Sequence, residues 1–287
     1  MKNGNGIFGS GQLVDHLIVI AGIMFLVVPL WMIFASSTHL PEVLIRDGLQ
    51  FFPGEHFLET YGSVLTERRG FTKEVTASRM IMNSMILGLG FAIGKILVSM
   101  TAAYAVVYFR FPLAGFLFWV IFFTLLLPLE VRIIPSYQVA AQLGLLNTYT
   151  GLILPLIASA TGTFFFRQFY RSVPEELLEA AQLDGAGPYK FFIDILVPLS
   201  RTMIAAMFIF MFVVGWNQYL WPLLLTTDES FTTIVFGISS VMQNIDESRI
   251  PDYHRGFALG ILALIPPVMV VVLFQRWFIK GLLESEK

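Results

Sequence analysis

Six stretches of the chain are predominantly apolar, and polar segments of unequal length separate them. They run approximately over Leu17–Ala35, Met80–Val107, Leu113–Pro128, Tyr149–Phe166, Met203–Leu225 and Phe257–Ile279. Each approaches the roughly 20 residues that an α-helix needs to cross bilayer hydrocarbon. None alternates with the period of two that a spanning barrel strand needs. A segment in lipid must satisfy its own backbone hydrogen bonds, so all six are predicted to be helices. The expected architecture is an all-α membrane protein, one transmembrane domain over residues 1–287 with six spans.

Composition agrees with the pattern. Of 287 residues 56% are hydrophobic and 13% charged, against about 45–50% and 25% in soluble domains. The net charge of −2 comes without a basic block, which leaves nucleic acid no electrostatic footprint. With no cysteine, disulfides, thiolate metal sites and thiol catalysis are excluded. The four histidines His16, His39, His56 and His254 lack metal-ligand spacing. Leu17–Ala35 exceeds a signal-peptide core of about 7–15 residues and reads as a retained span. Charge bias does not orient the chain: Lys2, Arg110, Arg167, Arg171, Lys190, Arg201, Arg276, Lys280 and Lys287 stand on one side. Arg46, Arg68, Arg69, Lys73, Arg79, Arg132, Arg249 and Arg255 stand on the other, nine against eight.

The polar segment 167–202, between spans four and five, carries the most information. Ser172 and Glu175 have capping-box spacing, and Pro174 is tolerated in a first turn. Helix-forming residues continue to Asp184, Gly185 stops the helix, and Gly187-Pro188 turns the chain. A second short helix is expected from Tyr189 to Leu196, ending at Pro198. Leu177, Ala180, Ala181 and Asp184 share one side of the first helix at helical spacing. Its two alanines admit a close partner, and Glu179 and Asp184 offer anionic acceptors. The alternative is a helix lying among lipid headgroups, but such helices favour Lys and Arg on the polar face and this one is acidic.

Glu179-Ala180-Ala181, Gly185 and Ile195-Leu196-Val197-Pro198 resemble the E-A-A-x3-G-x9-I-x-L-P signature of ABC importer permeases, with Val197 for the usual Leu. Asp184 and Ala186 fit its common form. The stretches Leu126–Pro135 and Gly215–Leu223 resemble the carbohydrate-type, maltose permease-like group. Within it Gly94–Met100, Arg110–Leu113 and Gly281–Lys287 are most similar to the second permease subunits of sn-glycerol-3-phosphate importers. The resemblance implies a type I permease fold in a bacterial cytoplasmic (inner) membrane. It implies a cytoplasmic coupling helix, with Glu179, Ala180, Ala181, Asp184, Gly185, Ala186 and Pro198 docking on the ATPase, and both termini cytoplasmic. The implied partners are a homologous second permease, a dimer of ATP-binding subunits holding ATP and Mg, and an extracytoplasmic binding protein meeting Ser36–Arg79 and Thr226–Gly256. The tail Gly281–Lys287 either reaches the ATPases or is disordered. The implied cargo is sn-glycerol-3-phosphate or glycerophosphodiesters; a di- or oligosaccharide is the alternative.

The chain itself has no ATP motif. Gly90-x3-Gly94-Lys95-Ile96 is one residue short of a phosphate-binding loop and lacks its hydroxyl. Gly90/Gly94 and Gly256/Gly260 read instead as helix-packing pairs. No catalytic pair recurs across spans, so no enzyme is expected. Polar groups inside spans are functional candidates. Lys95 either faces a water-filled pathway and attracts phosphate, or pairs with a neighbouring subunit. Arg132 either offers its guanidinium to a phosphomonoester or pairs with Glu130. Trp216 and Asn217 are pathway candidates through stacking and hydroxyl bonding, with a packing role as the alternative.

Overall fold

The computed structural model describes residues 10–67, 75–109, 111–243 and 252–284, with side chains for all of these but 10, 11, 129, 130, 241–243 and 277–284. Arg110, Arg249 and the end of the tail at 285–287 therefore lie outside the described residues. Among the described residues helices predominate and no strand occurs. Its helices form two compact units, Met1–Thr76 with Ser240–Leu262 and Ala77–Ser239 with Ala263–Lys287.

In the first unit α1 (Ser10–Ser37) is apolar on all sides and leaves Leu17, Phe25 and Leu26 exposed, which suits a lipid surround. Its C-terminal end is fixed by buried hydroxyls. Ser36 Oγ accepts the Gln50 amide at 2.8 Å, Thr38 Oγ1 accepts the Gly54 amide at 2.6 Å, and Ser37 Oγ bonds Tyr61 OH at 2.9 Å. These bonds hold two short helices, α2 (Pro41–Asp47) and α3 (Phe57–Thr66), close to the end of α1.

The second unit is built on α4 (Ala77–Tyr108), packed against α8 (Ala160–Ser172) and α11 (Arg201–Trp216). At about 1.5 Å per residue, its 32 residues exceed a ~30 Å hydrocarbon core. Small residues let its neighbours approach. A Cβ at Gly90 would meet Ile153 at 2.5 Å, one at Gly94 would meet Ile157 at 2.6 Å, and one at Gly215 would meet Phe91 at 2.9 Å. Gly90 and Gly94 thus form a packing seam, as their spacing predicts. Gly260 does not, since a Cβ there meets nothing within 4 Å.

Among the described residues three helices are long and apolar enough to cross a membrane singly, within Gln12–Ser37, Ala77–Tyr108 and Tyr253–Arg276; up to six spans result if each bent pair counts as one. The bent pairs are α5 (Ala114–Leu126) with α6 (Leu129–Gln142), α7 (Tyr149–Leu156) with α8, and α10 (Pro188–Leu199) with α11. The third apolar run, expected to end at Pro128, does stop there: Pro128 is the N-cap of α6, where the chain turns. Sequence also predicts one helix over Met203–Leu225. The chain leaves helical geometry at Asn217 and resumes in α12 (Leu220–Leu225). The remaining helices are α9 (Glu175–Leu183), α13 (Ile234–Gln243) and α14 (Tyr253–Glu284).

Candidate functional site

The helix breaks of the second unit surround one cavity of about 220 Å³. From α4 come Phe91 and Lys95, and from the first turns of α6 come Arg132 and Ser136. The bend between α7 and α8 gives Ala158, and the break after α11 gives Gln218. Irregular backbone at membrane depth is tolerated only where protein or a water-filled cavity can satisfy it, and these breaks meet that requirement. Lys95 Nζ donates to the Ala158 carbonyl at 3.2 Å and lies 4.4 Å from the Phe91 ring centroid. Both sites stabilise the ammonium electrostatically. Arg132 is exposed, and Gln218 Nε2 donates to its own helix at Val214, 3.2 Å away.

Two of the four predicted pathway residues, Lys95 and Arg132, thus line the same space. The other two lie elsewhere. Trp216 is fully buried, stacks on Phe212 at 5.9 Å and donates its indole N–H to the Ala263 carbonyl at 3.2 Å. Asn217 is exposed and bonds back to Val213 at 2.8 Å. The cavity wall carries Gln218 and Trp221 from the same motif instead. Ser136 sits four residues after Arg132, one helical turn on, a spacing visible in the sequence. The Glu130 side chain, the predicted partner of Arg132, lies outside the described residues.

The polar segment folds as a helix, a turn and a second helix, with corrections at both ends. Ser172 does not cap α9. It ends α8 in helical geometry, so its hydroxyl bonds back to the Phe169 carbonyl at 2.7 Å. Pro174 is the N-cap and contributes no side-chain bond. Pro198 does not end the second helix either. A wider turn over Phe191–Leu196 precedes it, placing Pro198 in the first turn of a fresh helical segment where no amide is needed, and the chain bends by 73° only after Leu199. Gly185 behaves as expected, with φ +73°. The Ala186 amide reaches the Ala181 carbonyl at 2.9 Å and the Gly185 amide reaches Gln182 at 3.0 Å, the paired bonds that close a helix through a left-handed glycine. Glu179, Ala180, Asp184 and Gly185 are exposed and Leu183 is 89% so. Ala181 is buried at 5%, so the predicted side Leu177-Ala180-Ala181-Asp184 divides: Ala181 seats the helix and the other three face outward.

The second helix is fastened to α4 by aromatic residues. Tyr104 OH donates to the Pro188 carbonyl at 2.8 Å and its ring lies 4.9 Å from Phe192. Tyr108 meets Phe191 at 5.3 Å and donates to the Tyr170 carbonyl at 3.3 Å. The exposed turn and the cavity therefore share one rigid element, since Lys95 and Tyr104 are nine residues, about 14 Å, apart on α4.

Residues 95–284 match the family described as binding-protein-dependent transport system inner membrane component. The chain is 46% identical over 276 residues to the sn-glycerol-3-phosphate transport system permease protein UgpE of Brucella melitensis, covering 96% of this chain and 97% of that protein. It is 47% identical to UgpE of Agrobacterium fabrum over the same shares, and 46% identical to UgpE of Yersinia pestis over 95% and 96%. A bacterial ABC transporter involved in the import of the acidic polysaccharide alginate has a similar fold, with TM-score 0.80 and 18% identity over 97% of this chain and 100% of that one. With the family match extending from the cavity lysine through the exposed helix and turn to the last described residue, the chain belongs to the binding-protein-dependent transport system inner membrane components.

Proposed function

We propose that this chain is one of two permease subunits of an ABC importer for sn-glycerol-3-phosphate. The observation that carries the reading is full-length likeness, at 46–47% identity, to proteins bearing that name. That likeness takes in both the cavity at the helix breaks and the exposed turn closed by Gly185. Residues 1–287 act as one permease domain beside a homologous second permease. Glu179, Ala180, Ala181, Asp184, Gly185, Ala186 and Pro198 form the ATPase-coupling surface on the cytoplasmic side, with both termini. ATP and Mg are held by an ATPase dimer; this chain contributes no nucleotide site and no catalysis. A loaded binding protein docks outside at Ser36–Arg79 and Thr226–Gly256. Lys95 and Arg132 line the translocation pathway, while Trp216 and Asn217 flank the break that shapes it. ATP-driven closure of the ATPases moves the coupling turn, and α4 carries that motion to the cavity.

A di- or oligosaccharide is the second cargo reading, favoured by Trp221 and Gln218 on the cavity wall. Proteoliposomes holding the full importer and its binding protein separate the two. ATP-driven accumulation of labelled sn-glycerol-3-phosphate, and not of labelled maltose, is expected. Accumulation of maltose alone overturns the cargo and leaves the importer. The same assay tests the aromatic fastening. Tyr104→Phe keeps the ring and loses one hydrogen bond, about 0.6 kcal/mol in a membrane protein, or about threefold. Uptake per ATP hydrolysed is expected to fall by about that factor, and an unchanged ratio argues that the bond transmits nothing.

A further inference from the structure

We infer that the cavity is a binding site for a phosphomonoester dianion, so that the permease itself, after the binding protein, selects cargo by charge. The inference deepens the importer reading and rests on it. Its basis is the combination of side chains that the fold brings together. Two cations, Lys95 and Arg132, line one cavity to which no carboxylate contributes among the described residues. Two like charges on the wall of one cavity disfavour each other, and their repulsion is relieved by an anion between them. An ion pair with a protein carboxylate would neutralise one cation permanently; an anionic cargo does so only during passage.

The two cations differ in a way that suits them to one ligand. Lys95 is steered by the Ala158 carbonyl and the Phe91 face. An ammonium has three donors, and the carbonyl takes one. Arg132 is exposed at the start of α6, and its planar fork can hold two phosphoryl oxygens at once. A phosphomonoester carries close to two negative charges near neutral pH, one for each cation. A phosphodiester carries one and a neutral sugar none. Ser136 and Gln218 supply hydroxyl and amide partners on the same wall, suited to the alcohol groups of a polyol phosphate. Breaks in spanning helices commonly mark the binding sites of transporters, and here the breaks before α6, before α8 and after α11 converge on the two charges.

The test uses the assembled importer in proteoliposomes with saturating loaded binding protein, following uptake of sn-glycerol-3-phosphate and ATP hydrolysis together. Lys95→Gln and Arg132→Gln are each expected to lower uptake at least tenfold. Stimulation of ATP hydrolysis by the loaded binding protein should stay within twofold of the parent. Lys95→Arg, which keeps the charge, should restore most uptake; a residue needed only for packing would not be rescued that way. A glycerophosphodiester, with its single charge, should lose less than the monoester in each neutral variant. Arg132 is exposed, so Arg132→Gln carries the test even if Lys95→Gln fails to assemble. Undiminished monoester uptake in Arg132→Gln overturns the site and leaves the importer standing. If the parent complex accumulates maltose and no phosphoester, it is the cargo reading that fails.

Discussion

Gly185→Val is expected to lower ATP-driven uptake at least tenfold while the subunit remains in the membrane at its normal level. The cause is backbone geometry alone. Gly185 has φ +73°, and a Cβ added there would meet nothing within 4 Å. Crowding is therefore absent, and the cost is that of putting an L-residue in the left-handed region, about 1–2 kcal/mol. A β-branched side chain costs more than alanine does. Helix α9 has nine residues, too few to be stable alone. Its C-terminal end depends on the two amide bonds at Gly185 and Ala186. When Gly185 turns back to negative φ both bonds open, and the outward residues Glu179, Ala180 and Asp184 lose their common arrangement. Conformational strain predicts an order. Gly185→Asn should keep most activity because asparagine visits this region, alanine should be intermediate, and valine should be worst. Gly187→Ala, at φ −72° with open space around it, is the matched neutral control. Glu179→Lys leaves the backbone unchanged but reverses an exposed charge on the proposed docking surface, and should likewise abolish uptake. If valine, asparagine and alanine variants at 185 transport equally, the turn does not position a docking surface.

The chain declares some of this fold and conceals the rest, for physical reasons that differ by position. Lipid tolerates only long apolar runs, so α1, α4 and α14 are plain in the hydropathy pattern. The helix breaks are not, because the same apolar composition continues across them: Met203–Leu225 reads as a single run although it opens at Asn217–Tyr219. Weak signals were present. Thr148 stands just before the fourth apolar run and Ser159 inside it; they cap α7 and α8, each accepting the amide of the glycine three residues on, at 2.9 and 3.1 Å. The pair Asn217-Gln218 marks the break after α11. Spacing correctly gave Gly185 as a helix stop. It misled at Ser172, because cap spacing cannot tell an N-cap from the last turn of a preceding helix. Pro198 misled because a wider turn can absorb its missing amide. Which side chains of the Trp216–Trp221 motif enter the cavity depends on that break, and no periodicity read through an assumed straight helix recovers it.

Asn83→Leu is expected to cost about 2–5 kcal/mol of stability, far more than an ordinary exchange of similar volume. Asn83 is fully buried on α4. Its amide nitrogen donates to the carbonyls of Ser230 at 2.8 Å and Thr232 at 2.9 Å, and its oxygen accepts from Tyr149 OH at 2.7 Å. One side chain thus joins α4, α7 and the segment leading to α13. Hydrogen bonds inside membrane proteins are worth about 0.6 kcal/mol on average and 1.7 at most, and three are lost together. Leucine fills the volume but leaves two carbonyls and a hydroxyl without their partner. The neighbouring Ser84 gives the internal standard. It is also fully buried and accepts the Ile234 amide at 2.8 Å, so Ser84→Ala loses one bond and should cost about a third as much. Asn83→Asp should be at least as damaging as leucine, since it sets a carboxylate oxygen against two carbonyl oxygens. Denaturant titration of the purified subunit measures all three, and equal losses for Asn83→Leu and Ser84→Ala would mean that the amide is not the clasp. The functional consequence follows from what the clasp holds. Residues 226–234 belong to the loop proposed to meet the binding protein, and Asn147 secures their start by accepting the amides of Thr227 at 2.7 Å and Asp228 at 3.0 Å. Loosening this loop leaves the cavity lining of α4 in place while making the docking surface pay an ordering entropy on each encounter. Asn83→Leu should therefore raise the concentration of loaded binding protein needed for half-maximal uptake more than it lowers uptake at saturation, the reverse of what Gly185→Val should do.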